Sequence, residues 1–275
     1  AEGNIVKNVT LSYTSVAGTY ADNKNNENMN DIVGRVGSKS SVGANTADDI
    51  TKDDGKKGVT LITNLEELLA FAKSVNVDGV TYAGKTVMLG ADIDLANMEW
   101  TPIGTGAGFY GTFDGQGHTI SNLKVTGNKS TVGLFANTYN GEIKNLTVEN
   151  ATVSGRLNVG VVAGNPYTSK YTNITVKGHV EVNGFAYVGG VGGKNAYANW
   201  TDVTVAVDET SYVNAVSTEN GVAYRTYVGG VVGFNGEGGH TFKNITSNID
   251  VIGDVCDIGG VFGIAHYDNK FENIT

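Results

Sequence analysis

The chain has 275 residues and a formal net charge of −9, and 39 of its residues are glycine while only 2 are proline. The acidic balance and the lack of any basic cluster argue against nucleic acid as a partner and against electrostatic docking on an anionic membrane. A single cysteine, Cys256, excludes an intramolecular disulfide framework and a cysteine-based zinc site. No apolar run is long enough to span a bilayer.

Residues 1–58 predict a divergent partial coil with polar, flexible loops. NIVKNVTLSY (4–13) and DIVGRVG (31–37) copy segments that recur later in the chain. ADNKNNENMN (21–30) and SKSSVGANTADDITKDDGKKG (38–58) are polar and show no hydrophobic period. We expect this region to be either the tail of a preceding repeat structure or an arm that packs on the far end of the repeats.

The next segment, TNLEELLAFAKSVN (63–76), predicts a helix over residues 64–76. Asn64 and Glu67 resemble a capping box, in which each side chain satisfies a backbone N–H of the first turn. Its apolar stripe consists of Leu65, Leu68, Leu69, Ala72 and Val75. Such a helix would cover the open end of the structure that follows and protect its strand edges.

From residue 85 the chain reads as short β-segments. KTVMLGADIDL (85–95), EWTPIG (99–104) and FYGTFDGQGHTISNLKVTG (109–127) predict a first, irregular coil. Asn122 and Leu123 fall where later coils carry Asn-Leu-Thr, so we align them with those positions.

Two series of anchor residues then repeat together. Val132, Val159, Val188, Val228 and Ile258 are 27, 29, 40 and 30 residues apart. Asn145, Asn173, Asp202, Asn244 and Asn273 step by 28, 29, 42 and 29 residues. The one long step predicts a loop within residues 208–226 that bulges from a corner.

Each period holds three β-type segments separated by turns rich in Gly, Asn and Asp, and no helix intervenes. The predicted fold is therefore all-β: a right-handed parallel β-helix over residues 59–275, with three short strands in each coil of about 29 residues and an N-terminal capping helix. The pair Gly229–Gly230 recurs as Gly189–Gly190 and Gly259–Gly260. Glycine at this place indicates close backbone approach inside a narrow coil.

The recurrent Val-Gly-Gly-Val-(Val/Phe)-Gly followed by Lys-Asn-Ile-Thr resembles the GLUG repeat, here over residues 108–275. The lead-in ADIDL, EWTPIG and FYGTFDGQGHTISNL resembles the segment that introduces such repeats. The combination is similar to β-helical surface proteins of Bacteroides-type bacteria that are described as adhesins, and to the repeat region of streptococcal IgA-type metallopeptidases. The zinc motif His-Glu-x-x-His is absent from these residues, so the resemblance brings no peptidase chemistry to them.

The resemblance implies a non-enzymatic binding or adhesion module, secreted or on the outer surface of a bacterium, with its signal or anchor outside these residues. Its expected partner is a glycan or a host or bacterial surface protein. Two alternatives stay open. One is a polysaccharide-degrading lyase or hydrolase, and the other is a structural spacer or filament subunit that assembles end to end, because the coil at Thr275 is incomplete.

Acidic and histidine side chains give few catalytic or metal-binding candidates. A glycan-cleaving enzyme would use paired carboxylates, and the candidates are Asp92, Asp94, Asp114 and Asp202. The four histidines, 118, 179, 240 and 266, are far apart in sequence and hold different repeat phases. We expect no cofactor. Calcium is the ion that an acidic secreted solenoid would favour, but the acid group Asp48, Asp49, Asp53 and Asp54 lacks the EF-hand spacing and is interpreted as a solvated loop.

The asparagine series has two interpretations. Four of its members read Asn-x-Thr, which is the acceptor pattern of N-glycosylation. Equivalent positions in stacked coils align, so the side-chain amides could instead hydrogen-bond to one another as a ladder. We favour the ladder.

Aromatic residues give the best indication of binding. One or more rings recur after each anchor, in the corner loop, and stacking would line them up about 5 Å apart per coil. Such a strip could bind a sugar chain or a protein, or it could merely cover the corner of the core. The candidate binding residues are Tyr139, Tyr167, Tyr197, Trp200, Phe234 and Tyr267.

Overall fold

The computed structural model describes residues 59–275 except residues 220, 221, 224, 237, 255, 266 and 267. Residues 62–275 form one compact unit. The partial coil predicted for residues 1–58, with its acidic loop, lies outside the described residues and stays a prediction.

The predicted helix is present as α1 (Leu65–Asn76). Asn64 is its N-cap, and the side-chain oxygen of Asn64 accepts a hydrogen bond from the Glu67 N–H at 3.0 Å. The Glu67 carboxylate in turn accepts from the N–H of Thr63 at 2.7 Å, one residue before the N-cap. The buried stripe differs from the prediction, because Phe71 is buried, Leu65 is only partly buried and Leu69 is 36% exposed.

The helix is fixed to the first coils by rings and by one amide. The ring of Phe71 lies 5.7 Å from that of Phe109 and 6.0 Å from that of Phe113. The side chain of Asn76 accepts from the N–H of Gly104 and donates to the carbonyl of Pro102. These contacts place α1 against the core of the first coils.

The strands are short and follow one another with few intervening residues. In chain order they are β1 (Val59–Ile62), β2 (Thr86–Leu89), β3 (Ile93–Asp94), β4 (Thr112–Asp114), β5 (Thr119–Val125), β6 (Thr131–Val132), β7 (Phe135–Tyr139), β8 (Glu142–Ser154), β9 (Asn158–Gly160), β10 (Ala163–Tyr167), β11 (Lys170–Gly184), β12 (Tyr187–Gly189), β13 (Gly192–Asn195), β14 (Asn199–Val207), β15 (Tyr212–Ala215), β16 (Thr218–Glu219), β17 (Val222–Ala223), β18 (Thr226–Gly229), β19 (Val232–Asn235), β20 (Thr241–Ser247), β21 (Asp250–Gly253), β22 (Cys256–Gly259), β23 (Phe262–Ala265) and β24 (Lys270–Ile274).

Most of these strands form three parallel sheets that run along the stack of coils, and β16 and β17 form a separate antiparallel pair. One sheet has the order β2-β4-β8-β11-β14-β20-β24, with β3, β5, β15 and β21 continuing its strands. The second has the order β7-β10-β13-β19-β23, and the third has the order β6-β9-β12-β18-β22. The predicted parallel β-helix is therefore confirmed, with about seven turns of about 29 residues.

Strand register confirms the repeat alignment. Val188 pairs with Val159 on one side and Val228 on the other, and Val228 pairs with Ile258. The long step holds β15, which takes the third-segment position, followed by β16 and β17, which form an antiparallel hairpin. The predicted insertion within residues 208–226 is thus a hairpin.

The alignment of the first irregular coil was wrong by one segment. Leu123 pairs with Ala151, so Asn122 lies opposite Asn150 and outside the column of Asn145. Asp114 pairs with Lys144 instead, which brings Asp114 and the turn after it beside Asn145. The pair Asn122–Leu123 resembles the later Asn-Leu pairs in sequence, but the backbone register places the turn after β4 in the column of Asn145.

The core is a continuous row of side chains inside the coils, with fully buried rings at Trp100, Phe113, Tyr171, Trp200 and Phe242. The paired glycines confirm the predicted close approach. A Cβ on Gly190 would collide with the carbonyl oxygen of Gly230, and a Cβ on Gly230 would collide with that of Gly260. Between these glycine pairs the backbones of successive coils leave no room for a side chain.

The last described coil is less covered than the others. Ile252 and Ile258 are each 50% exposed, and Phe271 is 47% exposed. End-to-end association stays a prediction. Among the described residues, no helix combines the length and apolarity required to cross a membrane.

Candidate binding strip of tyrosine rings

Three of the predicted tyrosines form a continuous row along one corner of the β-helix. Tyr139 ends β7 and Tyr167 ends β10, and the two residues pair in register. Tyr197 follows β13, one residue beyond Ala196, which is the register partner of Tyr167. The ring centroids are 5.7 Å apart between Tyr139 and Tyr167 and 5.6 Å apart between Tyr167 and Tyr197.

The row extends beyond the predicted residues at both ends. The ring of Tyr110 lies 5.3 Å from that of Tyr139, and the ring of His240 lies 5.5 Å from that of Tyr197. Tyr110 precedes the repeats that the anchor residues define, so the repeat spacing did not predict it. We name Tyr110, Tyr139, Tyr167 and Tyr197 the tyrosine strip.

The backbone turns sharply directly after these rings. Asn140 and Thr168, which follow Tyr139 and Tyr167, have φ angles of 54° and 51°, and Tyr197 itself has a φ of 64°. A left-handed residue bends the chain sharply, and at this corner each coil passes from one sheet to the next. The rings therefore stand at an outer edge of the coils.

Exposure along the strip is graded. Tyr167 is 39% exposed and Tyr197 is 41% exposed, while Tyr110 and Tyr139 are partly buried. Burial raises the pKa of Tyr139, so its hydroxyl stays neutral. Beside the rings runs a row of amides, in which Asn165 donates to the side-chain oxygen of Asn137 at 3.0 Å. The strip thus offers ring faces flanked by uncharged hydrogen-bonding groups.

The strip ends beside a small polar pocket of about 270 Å³. Its lining includes Tyr110, Lys85, Lys170 and Glu142. Glu142 forms an ion pair with Lys144 at 3.2 Å.

The structure corrects two of the predicted strip residues. Trp200 is fully buried, because it points inward from β14 and stacks on Tyr171 with centroids 4.1 Å apart. Phe234 lies in a separate cluster, with ring distances of 4.9 Å to Tyr187 and 5.0 Å to Tyr227. Both errors arise because sequence distance from the anchor does not say which face of a strand a side chain takes. Tyr267 lies outside the described residues.

The aspartates considered for catalysis each accept hydrogen bonds between or within coils. Asp92 accepts from the Thr119 N–H at 2.8 Å, and this bond, followed by that of His118, lowers the pKa of Asp92. Asp94 accepts from Asn122 at 2.7 Å, which likewise lowers its pKa. A general acid for glycoside cleavage needs a raised pKa. The pKa shifts of Asp92 and Asp94 run in the opposite direction.

The three histidines that the structure describes lie at separate places. His118 contacts Asp92 at 3.1 Å, His240 contacts the tyrosine strip, and His266 lies outside the described residues. The Nδ1 of His179 lies 3.2 Å from Asp208, and its Nε2 lies 3.3 Å from Glu181. The hydrogen bond to Asp208 is the main reason that the pKa of His179 is raised. Within the part of the chain that the structure describes, no group of three or more potential ligands is arranged to hold a metal ion.

The predicted asparagine ladder is confirmed. Its members, and Asn122 in a neighbouring column, have φ angles between 51° and 58°, which asparagine tolerates better than most residues. At four steps the side-chain amide of one coil donates to the side-chain oxygen of the coil before it, whereas Asp202 is a carboxylate and has no N–H to donate to Asn173. The bonds are Asn145 to Asp114 at 3.0 Å, Asn173 to Asn145 at 3.0 Å, Asn244 to Asp202 at 2.7 Å and Asn273 to Asn244 at 2.8 Å.

No family model matches the chain. It is 38% identical to halomucin from Haloquadratum walsbyi over 122 residues, which cover 43% of this chain and 1% of halomucin. It is 24% identical to an immunoglobulin A1 protease from Streptococcus pneumoniae over 267 residues, which cover 95% of this chain and 13% of that protein. The chain therefore spans a small fraction of each of these curated relatives. The predicted similarity to a streptococcal immunoglobulin A protease is confirmed at this level.

One solved structure is also similar, that of a candidate immunoglobulin A1 protease from Bacteroides ovatus. The TM-score is 0.49 at 20% identity, over 81% of this chain and 76% of that chain. The assignment to the GLUG repeat and the adhesive role stay predictions.

Proposed function

We propose that this chain is a non-enzymatic binding module of a secreted or cell-surface protein, and that it holds a carbohydrate chain along the tyrosine strip. The observation that carries the proposal is the in-line row of rings, of which Tyr167 and Tyr197 are 39% and 41% exposed. Rings that only covered the core would gain most by full burial. Half-exposed rings at a fixed repeat instead suit a ligand with a repeating apolar face.

The rigidity of the scaffold supports the same proposal. Each ring belongs to a coil whose backbone is paired on both sides, so binding need not order a loop first. The amides of Asn137 and Asn165 flank the rings and can meet the hydroxyl groups of a sugar.

The names of the relatives are consistent with a location outside the cell, since one is a halomucin and the other is a protease of immunoglobulin A1. A protein partner on a host or bacterial surface is the alternative ligand, because exposed tyrosines also anchor protein interfaces.

The test is a comparison of the wild-type chain with Tyr167→Ala/Tyr197→Ala on a glycan array and on a panel of extracellular-matrix proteins. Loss of the contacts that two rings make with a ligand costs about 1 to 3 kcal/mol, so binding should weaken roughly 5- to 150-fold. The matched control is Tyr187→Ala, which removes a partly buried ring stacked on Tyr227 away from the strip. Carbohydrate binding that is equal in the double variant and the wild type would contradict the proposal. Binding to matrix proteins alone would favour the alternative ligand.

A further inference from the structure

A second corner of the β-helix carries an open groove of about 570 Å³ that the tyrosine strip does not touch. It lies where β8, β11 and β15 end, and it crosses four successive coils. We name it the axial groove, and its lining residues are Gly127, Asn128, Ser154, Gly155, Asn183, Gly184, Phe185, Asn214 and Val216. None of these side chains is charged, although the chain as a whole carries −9.

Polar side chains line the groove in register. Ser154 pairs with Asn183, and Asn183 pairs with Asn214, so one hydroxyl and two amides stand one above another on neighbouring coils. Adjacent paired strands are about 4.8 Å apart, which sets the spacing of these groups. A ligand that lies along the groove therefore meets a polar group at every coil.

The amides keep hydrogen-bonding capacity for a ligand. Asn214 donates to the side-chain oxygen of Asn183 at 3.2 Å, and Asn183 approaches the Tyr212 hydroxyl at 3.4 Å. An asparagine amide has two N–H donors and two acceptor lone pairs, so these bonds use only part of that capacity. Each amide can therefore still both donate and accept.

The backbone of the groove is already engaged. The N–H of Gly155 donates to the carbonyl of Asn183 at 3.0 Å, and the N–H of Val216 donates to the carbonyl of Gly184 at 3.0 Å. A peptide could not add here as an extra strand, since strand addition requires unpaired backbone groups. Recognition must come from the side chains.

We propose that the axial groove binds a neutral, extended polysaccharide chain. The uncharged lining gives an acidic polymer no counter-charge to replace its lost hydration. Hydroxyl groups donate and accept, as the amides of Asn183 and Asn214 do, and the partly buried ring of Phe185 covers the apolar face of a sugar ring. This site lies on a different corner from the tyrosine strip and does not depend on it.

The experiment titrates the chain with three neutral hexasaccharides, cellohexaose, xylohexaose and mannohexaose, and with hexagalacturonate as the acidic comparison. Calorimetry gives affinity, and side-chain amide NMR of Asn183 and Asn214 reports the location. We expect at least one neutral hexasaccharide to bind and to shift both amide signals. We expect Asn183→Ala to weaken that binding about tenfold. Ser154→Tyr, which fills the groove without removing an amide, should abolish it.

Two variants serve as controls. Tyr167→Ala/Tyr197→Ala removes the carbohydrate site proposed for the tyrosine strip, so the calorimetric affinity of the groove is taken from this variant, and the shifts of the Asn183 and Asn214 amide signals should persist in it. Asn165→Ala removes an amide beside the strip and should likewise leave these two shifts in place. The proposal is overturned if no neutral hexasaccharide binds at millimolar concentration, if hexagalacturonate binds more tightly, or if the amide signals of the wild-type chain do not move. The NMR result holds even if a variant fails to fold.

Discussion

Asn195 offers a sharp test of how polar groups inside the β-helix stabilise it. Its side chain is fully buried, and its oxygen accepts from the indole N–H of Trp200 at 3.2 Å. Its amide donates to the side-chain oxygen of Asn235 at 2.6 Å and approaches the carbonyl of Ala198 at 3.3 Å. Asn195→Ala would remove all three bonds.

The cost can be worked out from these partners. Leaving a buried donor or acceptor unsatisfied costs about 1 to 3 kcal/mol, and the indole N–H of Trp200 would bear most of it. Because the shorter bond to Asn235 is lost as well, we expect Asn195→Ala to lower the free energy of unfolding by about 3 kcal/mol. For a domain of this size that corresponds to a fall in Tm of roughly 6 to 12 °C.

The assay is urea unfolding followed by tryptophan fluorescence and by circular dichroism, which should give coincident transitions. The matched control is Asn165→Ala, since Asn165 is only partly buried and donates one bond, to Asn137. We expect the control to cost about 1 kcal/mol or less. The reasoning is refuted if both variants unfold at the same midpoint, because burial would then not govern the cost.

Two further predictions concern the ladder and pH. Asn173→Ala should lower the free energy of unfolding by about 1.5 kcal/mol, because alanine at a φ of 55° is strained and the bond to Asn145 is lost. In urea unfolding, Asn173→Gly should cost less than half of that. Equal losses in the two variants would show that backbone strain is unimportant. Hydrogen bonds to Asp208 and Glu181 raise the pKa of His179 above its ordinary 6.5. The contribution of His179 to the free energy of unfolding is therefore complete below pH 6.5 and is lost as pH rises through the raised pKa. Hydrogen bonds from Ser211 and Thr210 lower the pKa of Asp208 to about 2, so its contribution is present above pH 3.8 and is lost as pH falls through 2. The difference in urea midpoint between the wild type and His179→Gln should therefore be largest between about pH 4 and pH 6. A difference that stays constant up to pH 8 would contradict this prediction.

Much of the fold could be predicted from the chain because a solenoid repeats its constraints. The anchors Val159, Val188 and Val228 recur at the spacing of one coil, and the structure pairs them in register. The glycine pairs and the asparagine ladder were predictable for the same reason, since a requirement that recurs in each coil leaves a periodic mark.

The candidate site was only partly predictable. Tyr139, Tyr167 and Tyr197 share a repeat phase, so their row was visible in the sequence. Trp200 and Phe234 lie near that phase as well, yet one ring points into the core and the other joins a different cluster. A difference of one residue along a strand turns a side chain to the opposite face, and the register that fixes this face belongs to the folded chain.

The sequence alone therefore determined the coil length, the parallel stacking and the positions where only glycine or a left-handed asparagine fits, because each of these is a local requirement repeated in every coil. Only the tertiary structure decided that Tyr110 joins the tyrosine strip, that Asn122 leaves the ladder of Asn145, and that Ser154, Asn183 and Asn214 line one groove. These juxtapositions link residues 28 to 31 positions apart, and they depend on where each turn places the next strand.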